Sequence, residues 1–585
     1  MSKYRKGVFY TLILFLISFI LYIPSLSHQL VWDDSDAIKK KNYRYQGFIN
    51  LLVPKQSLKK GNYYRPVVYL SYLVDQTLWG QKPFGYHLSN LLFNSLTVAA
   101  LFWFVYFFFR NLKTEGNLYH IAFFSSLVFS LHPMHVESVS WIAARTDVLC
   151  TLFLLLGLIF HMSSYRQIAL VPLAILAFYL SLLSKELAVV FIPLVIVIDF
   201  ATEQIKKKNS LIKYILYIAI IILYFYLRTK SFVNITPVSE KNINIAASSD
   251  FLRYFDMLIV LVSSYYSYIY KLLVPVNFNA FISEVTKDLY YLIPSFLILG
   301  SILFALIYSV IKRIKLLYFV ILWISISLAP STILAIIKMT PTSLAERYLY
   351  LPSVAFAMAI GYLFYKFIYK KTRIMYSCSL LILIVIFYTA LNINRQKVWS
   401  DDLSLWGETS IAASNSCLPH NNYGSSLKRA GRYDEALRQY MFVIDTKIKC
   451  RDVEKALVYN NLGTALLEKE QYIEGRKYLK KAIKLNKYYH SPHMNLGVNY
   501  LLSALSTKSE TEFRLAIESF ENSIKLKPNS GLSHHYLSIA YKETGDLKSA
   551  EIHASKALKL GIPPAQKRDA LRILDEIQNS DFKKN

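Results

Sequence analysis

The sequence predicts an all-α protein in two parts, a polytopic helical membrane portion followed by an array of paired helices. Three observations carry that prediction. Long uncharged runs recur over residues 1–392 and then stop. The 585-residue chain is 54% hydrophobic, with a mean hydropathy of +0.32 and only 18% charged residues, less charge than a soluble globular chain carries. Residues 401–585 instead show helical periodicity with internal self-similarity.

Apolar runs at 8–24, 88–109, 148–162, 168–184, 289–311, 316–337, 349–365 and 374–392 are the clearest spans, with shorter candidates at 118–131, 187–198 and 211–227. The first begins with Lys3, Arg5 and Lys6, as a secretory signal would. No small-residue cleavage site follows and further spans do, so it reads as a retained anchor. The net charge of +28 could suggest nucleic acid, but its distribution argues against that partner. The segment from 401 onward holds 28 basic and 22 acidic residues, which leaves +22 in the membrane half, mostly in short loops. That is the positive-inside pattern, and it speaks to orientation. With the N-terminus cytoplasmic, the loops 1–7, 110–117, 163–167, 199–210, 312–315 and 366–373 face the cytoplasm. They include Lys206–Lys208 and Arg373. The scheme requires 252–274 to lie at the interface, since Arg253, Asp256 and Lys271 flank a Tyr-rich middle there. Eleven crossings result, and four polar clusters plus everything after 392 share the outer side.

The tail repeats a frame in which Gly424, Gly463, Gly497 and Ser538 recur at spacings of 39, 34 and 41. A 34-residue period, with small residues where two helices touch, is the tetratricopeptide signature. Such pairs stack because neither helix buries its apolar stripe alone, and the array offers a concave surface for a protein or peptide. The expected division is 1–392 membrane domain, 393–415 linker and 416–580 about four repeats. Cys150 and Cys378 lie in spans and read as small hydrophobes. Cys417 and Cys450 bracket the first repeat, at helix ends on one side, and could pair in an oxidising compartment.

Five clusters could carry chemistry, because ionisable groups at a membrane are costly. "VWDDSDAI" offers Asp33 and Asp34, with Asp36 as a weaker third. A carboxylate at an apolar boundary can have its pKa raised and accept a hydroxyl proton, although Asp and Ser here also suit a helix N-cap. "YYRPVVYLSY" sets Arg65 among tyrosines at headgroup level, to hold a lipid phosphate or merely to snorkel. "LHPMHVESVSWIAARTDVL" holds His132, His135, Glu137, Arg145 and Asp147, which suit a sugar or phosphate, or equally an interhelical polar network. Its His-x-x-His-x-Glu spacing shares no clean helical face, so metal ligation is a weak reading and no cofactor is expected. "LSKELA" pairs Lys185 with Glu186, as phosphate charge or as a neutral turn, and "AERYLYLPS" offers Glu346 and Arg347.

Taken in order, "VWDDSDAI", "YYRPVVYLSY", "GYHLSNLLFN", "LHPMHVESVSWIAARTDVL", "LLSKE", "AERYLYLPS", "VWSDDLSLW" and the repeats resemble the transmembrane and tetratricopeptide-repeat O-mannosyltransferases over essentially the whole chain. The resemblance implies a GT-C glycosyltransferase fold. It also implies a polyprenyl (dolichyl-type) phosphate sugar donor, a hydroxyl of an extracytoplasmic protein as acceptor, and a catalytic role for Asp33 and Asp34. Transfer would then be an inverting single displacement with Asp33 or Asp34 as base. Arg65, Lys185 and Arg347 would hold phosphate; His132, His135, Glu137, Arg145 and Asp147 would line the sugar end beside Glu186. Richness in Lys, Ile, Asn and Tyr suits a bacterial inner membrane better than an animal ER membrane. A non-enzymatic membrane scaffold and a lipid-linked sugar transporter are the alternative classes.

Overall fold

The computed structural model describes residues 2–39, 63–205, 208–231, 250–283, 288–337, 342, 344–371, 374–446, 448 and 450–582. Lys206, Lys207 and Arg373, three of the expected cytoplasmic charges, lie outside them. The described residues are mostly helical, an isolated bridge joins Ile282 to Leu344, and the chain falls into two compact units, Met1–Leu405 and Trp406–Asn585.

In the first unit the helices are α1 (Ser2–Leu21), α2 (Asp34–Lys39), α3 (Pro66–Trp79), α4 (Pro83–Asn111), α5 (Leu118–Leu131), α6 (Val136–Ser140), α7 (Arg145–Ser163), α8 (Val171–Ser184), α9 (Phe191–Ala201), α10 (Lys208–Ser231), α11 (Asp250–Leu273), α12 (Leu289–Ile311), α13 (Lys315–Ile337), α14 (Ser353–Leu363) and α15 (Ile374–Val398). Proline opens α3 and α4, where its missing N–H would be unpaired anyway, and the Asn117 side chain caps α5 by accepting from the Tyr119 and His120 N–H groups.

Among the described residues seven helices are long and apolar enough to cross a membrane, and Leu118–Leu131, Ile168–Ser184 and Ser353–Tyr369 are shorter apolar ones. This is a multi-pass membrane protein. Residues 187–198, read as a shorter span, fall in a 3-10 turn, Glu186–Val190, that runs directly into the 11-residue α9. Helix α11 is not among the span-length apolar helices; it buries Val262, Tyr268 and Leu272 in its later turns and exposes Tyr254 and Phe255 near its start. Cys150 is buried as expected, whereas Cys378 is exposed on α15. Helices α5 and α14 approach closely: a Cβ on Gly361 would lie 2.3 Å from the Ser125 nitrogen, so only glycine lets these backbones meet.

The long α4, 29 residues and about 43 Å, separates two polar ends of this unit. Near its finish, the Asn117 N–H donates to the Tyr365 hydroxyl at 2.7 Å; Lys315 pairs with Glu203 at 2.6 Å, and Lys113 and Arg313 act on the same Glu203. At its start lie the acidic loop and the other clusters.

The second unit contains the helix pairs α17 (Cys417–Arg429) with α18 (Tyr433–Asp445), α19 (Asp452–Glu468) with α20 (Tyr472–Leu485), α21 (His490–Thr507) with α22 (Glu510–Leu526), and α23 (Gly531–Glu543) with α24 (Leu547–Leu560). They follow α16 (Asp402–Ala412) and precede α25 (Pro564–Phe582). The recurrent small residues do stand where helices touch: a Cβ on Gly424, Gly463 or Gly497 would come within 2.6–2.7 Å of Tyr440, Leu479 or Phe520 on the paired helix. Leu479, Leu496, Leu501, Phe513, Phe520 and Leu537 then form a core continuous between repeats. Cys417 and Cys450 form a disulfide, with Cα atoms 5.5 Å apart.

Candidate active site

The site begins with a tight loop. Val31–Lys39 turns into α2, and Trp32 takes a left-handed backbone conformation with φ 56°, unusual for a bulky residue. Two bonds to the start of α16 and the residues just before it hold it: the Trp32 N–H donates to Asp402 Oδ1 at 2.7 Å, and the Gln29 N–H to the Ser400 carbonyl at 2.8 Å. The turn then splits the acidic pair. Asp33 is exposed, and Asp34 is fully buried. Asp34 accepts the Val31 N–H on Oδ2 at 3.1 Å and the Ala143 N–H on Oδ1 at 2.9 Å, so one carboxylate ties this loop to the segment entering α7. Burial pushes the Asp34 carboxyl well above its ordinary range, although both N–H groups oppose that.

Three indoles stack beside the pair. Trp32 lies 4.8 Å from Trp141, and Trp141 lies 5.8 Å from Trp399, in near-parallel planes. Arg347 covers Trp141 at 5.1 Å and Tyr348 at 5.0 Å, and Lys185 approaches the same Tyr348 ring at 5.1 Å. Arg347 and Lys185 thus meet over one tyrosine, and Arg347 bridges from it to Trp141.

Each cation also has a carboxylate. Arg347 donates to Glu137 at 2.5 Å, Lys185 to Asp147 at 2.6 Å, and Arg65 forks onto both Glu186 oxygens at 3.1 and 2.7 Å. Burial pushes Glu186 up, but the Arg65 charge and hydrogen bonds outweigh it and hold the carboxyl at about 2. Burial raises Glu137 despite Arg347. Arg145 differs in kind. It is wholly buried, 2.6 Å from Asp75, and donates to Asn90, Ser71 and the Tyr86 carbonyl at 2.6–2.9 Å, so its whole fork is spent on α3 and α4. The network reading left open for its cluster describes this residue. It describes the histidines too: His132 Nε2 meets the Leu272 carbonyl at 3.2 Å and His135 Nε2 the Ser353 hydroxyl at 2.8 Å, both buried. Burial lowers His132 to about 4 and holds His135 well below its ordinary value, so both rings are neutral. Neither turns toward Glu137 to build a ligand set, and among the described residues no group of three or more His, Cys, Asp or Glu does.

Sequence reasoning missed several participants. Asp75 sits alone in an otherwise apolar helix, a signal that was available. Lys271 and Arg395 meet on Glu346 at 2.8 and 3.2 Å, and neither position marks the contact in the chain. An apolar cavity lined by Tyr265, Ile269, Leu272, Ile302, Ile324 and Phe356 opens beside this end, sharing Leu272 with His132.

The tetratricopeptide repeat family profile matches residues 456–489. The chain is similar to a Caenorhabditis elegans protein named protein O-mannosyl-transferase F38B6.6, 27% identical over 74% of this chain and 62% of that one. Human protein O-mannosyl-transferase TMTC3 is 22% identical over 85% of this chain and 57% of its own length, and human TMTC2 is 33% identical over 24% and 17%. The chain thus spans less than two thirds of the curated relatives it matches. Among solved structures, MamA (22% identity, 27% of this chain, 85% of that one) and YrrB (15%, 29% and 81%) each align with a TM-score of 0.23.

Proposed function

We propose that this chain is a protein O-mannosyltransferase that takes its sugar from a polyprenyl-phosphate donor and passes it to a hydroxyl of a protein acceptor outside the cytoplasm. Similarity to proteins named O-mannosyl-transferases supports the reaction class. One observation carries the site: an exposed carboxylate, Asp33, stands on a loop latched by buried Asp34 to the segment bearing Trp141 and Asp147, whose partners are the cations Arg347 and Lys185.

In this reading Asp33 takes the proton of the acceptor hydroxyl as its oxygen bonds to the sugar C1. The bond from C1 to the donor phosphate breaks on the opposite face and the phosphate keeps the electron pair, which inverts the centre. Lys185, Arg347 and Arg65 are the charges available to neutralise that phosphate, by exchanging a carboxylate partner for it. Asp34, Arg145, His132 and His135 position these groups without touching substrate. The indole stack offers a flat face to a sugar ring, and the apolar cavity suits the start of a polyprenyl tail. The test is transfer from a synthetic polyprenyl-phosphate mannose to a Ser/Thr peptide by purified protein, read by intact mass. Product that disappears in Asp33→Asn supports the reading; product at parental yield from that variant overturns the assignment of the base.

A further inference from the structure

The repeat unit carries its net charge in one place. The chain from 401 onward holds 28 basic and 22 acidic residues, and 472–488 alone holds six basic and one acidic. Almost the whole surplus therefore sits on α20 and the turn after it. The second helices of the other pairs do not share it: α20 has five basic residues and one acidic, α18 one and three, α22 two and four, and α24 three and one. A feature confined to one repeat is not part of the frame that makes the pairs stack.

The charge also lies on one face. Helix α20 buries Gly475, Leu479 and Ala482. On its opposite side Ile473, Lys477, Lys480 and Lys484, at steps of four, three and four, stand exposed with Lys481 beside them. Lys477 meets Glu474 at 3.5 Å, and among the described residues Lys480, Lys481, Lys484 and Lys487 meet no carboxylate. Tyrosines interleave with them. Lys481 lies 5.0 Å from the Tyr478 ring and 5.5 Å from Tyr459, two rings stacked at 5.9 Å, and Lys487 lies 5.2 Å from Tyr488. At the two ends of the stripe, Ile473 is 83% exposed and Tyr488 74%. Segments at headgroup level are built this way: ammonium groups meet lipid phosphates, while lysine stems, phenol rings and apolar ends take the boundary beneath. A lipid surface is also close along the chain, since the span-length helix Met375–Val398 is followed directly by α16 and the repeats.

We infer that this face of α20 docks on a lipid surface bearing anionic headgroups, with Lys477, Lys480, Lys481 and Lys484 on the phosphates and Ile473 and Tyr488 at the acyl boundary. Nothing in this depends on the transferase reaction. The test uses the full chain in nanodiscs of phosphatidylcholine, in discs that also contain phosphatidylglycerol, and in neutral discs with added phosphatidylglycerol vesicles, all at equal total lipid. Hydroxyl-radical footprinting read by peptide mass follows Ile473 and Tyr488, with Ile552 of α24, 56% exposed, as internal reference. In at least one of the two anionic arms, oxidation of Ile473 and Tyr488 relative to Ile552 should fall about threefold, the loss given by a face occupied two thirds of the time. It should return at about 1 M salt, where the Debye length is ~3 Å. Lys477→Gln/Lys480→Gln/Lys481→Gln/Lys484→Gln changes only exposed side chains, so it should keep the parental melting temperature and lose the protection. Equal oxidation in neutral and anionic lipid overturns the inference with no variant needed. Protection that survives salt, or that the quadruple variant retains, overturns it as well. Protection by inorganic polyphosphate where anionic lipid gives none would mark a site for a soluble polyanion, and that too overturns it.

Discussion

Asp33→Asn and Asp34→Asn should fail in different ways, because the loop gives adjacent carboxylates opposite surroundings. Asp34 is buried, and each of its oxygens accepts one backbone N–H. An asparagine has one oxygen, so its NH2 must face either the Val31 or the Ala143 N–H. Leaving a buried donor unpaired costs about 1–3 kcal/mol. Removing a buried charge offsets part of this, since burial already disfavours the ionised form. Asp34→Asn is therefore expected to lose about 1–2 kcal/mol, visible as a lower melting temperature in detergent. Transfer should fall with it as the loop loosens from the α7 segment. Asp33 is exposed, so Asp33→Asn should change stability by no more than ~0.5 kcal/mol. If Asp33 is the base, transfer should nonetheless drop about 10²–10⁴-fold. Thermal unfolding and intact-mass glycosylation, run on both variants, separate the two effects. An Asp33→Asn protein with parental turnover, or an Asp34→Asn protein that melts unchanged, would refute the division of roles.

Replacing Cys417 and Cys450 with serine should destabilise the repeat unit by up to about 4 kcal/mol, the loop-closure figure for a separation of 33 residues, and parental melting of those repeats would count against it. Arg145→Lys should cost about 3–5 kcal/mol, because a lysine cannot serve Asp75, Asn90, Ser71 and Tyr86 together, and expression of folded protein in detergent reports it. His132 should make the fold acid-labile. Its folded pKa lies below the unfolded 6.5, so its stabilising contribution is complete above 6.5 and lost as pH falls toward about 4. At about 1.4 kcal/mol per pH unit the loss is about 3 kcal/mol, and His132→Gln should melt with a flatter pH profile. Asp402→Ala should release the left-handed Trp32 backbone and lower transfer more than it lowers melting temperature, measured as in the first experiment.

Much of this was legible because periodicity and cost are local. Gly424, Gly463 and Gly497 announced helix contacts, since a 34-residue spacing has few other causes, and the structure seats each against a large side chain. The acidic pair stood out because carboxylates beside an apolar run need a reason. What could not be read was partnership across the chain. Nothing near Arg145 in sequence names Asp75 or Asn90, and nothing near His132 or His135 names Leu272 or Ser353.

The Cys417–Cys450 bridge constrains how the repeats can be prepared. Thioredoxin and glutathione would keep those thiols apart in an ordinary bacterial expression cytosol, leaving Ser416 to Arg451 closed only by side-chain packing. A fragment made there would present a slackened first repeat. Assays on such material would then report the missing covalent link as though it were a weak ligand.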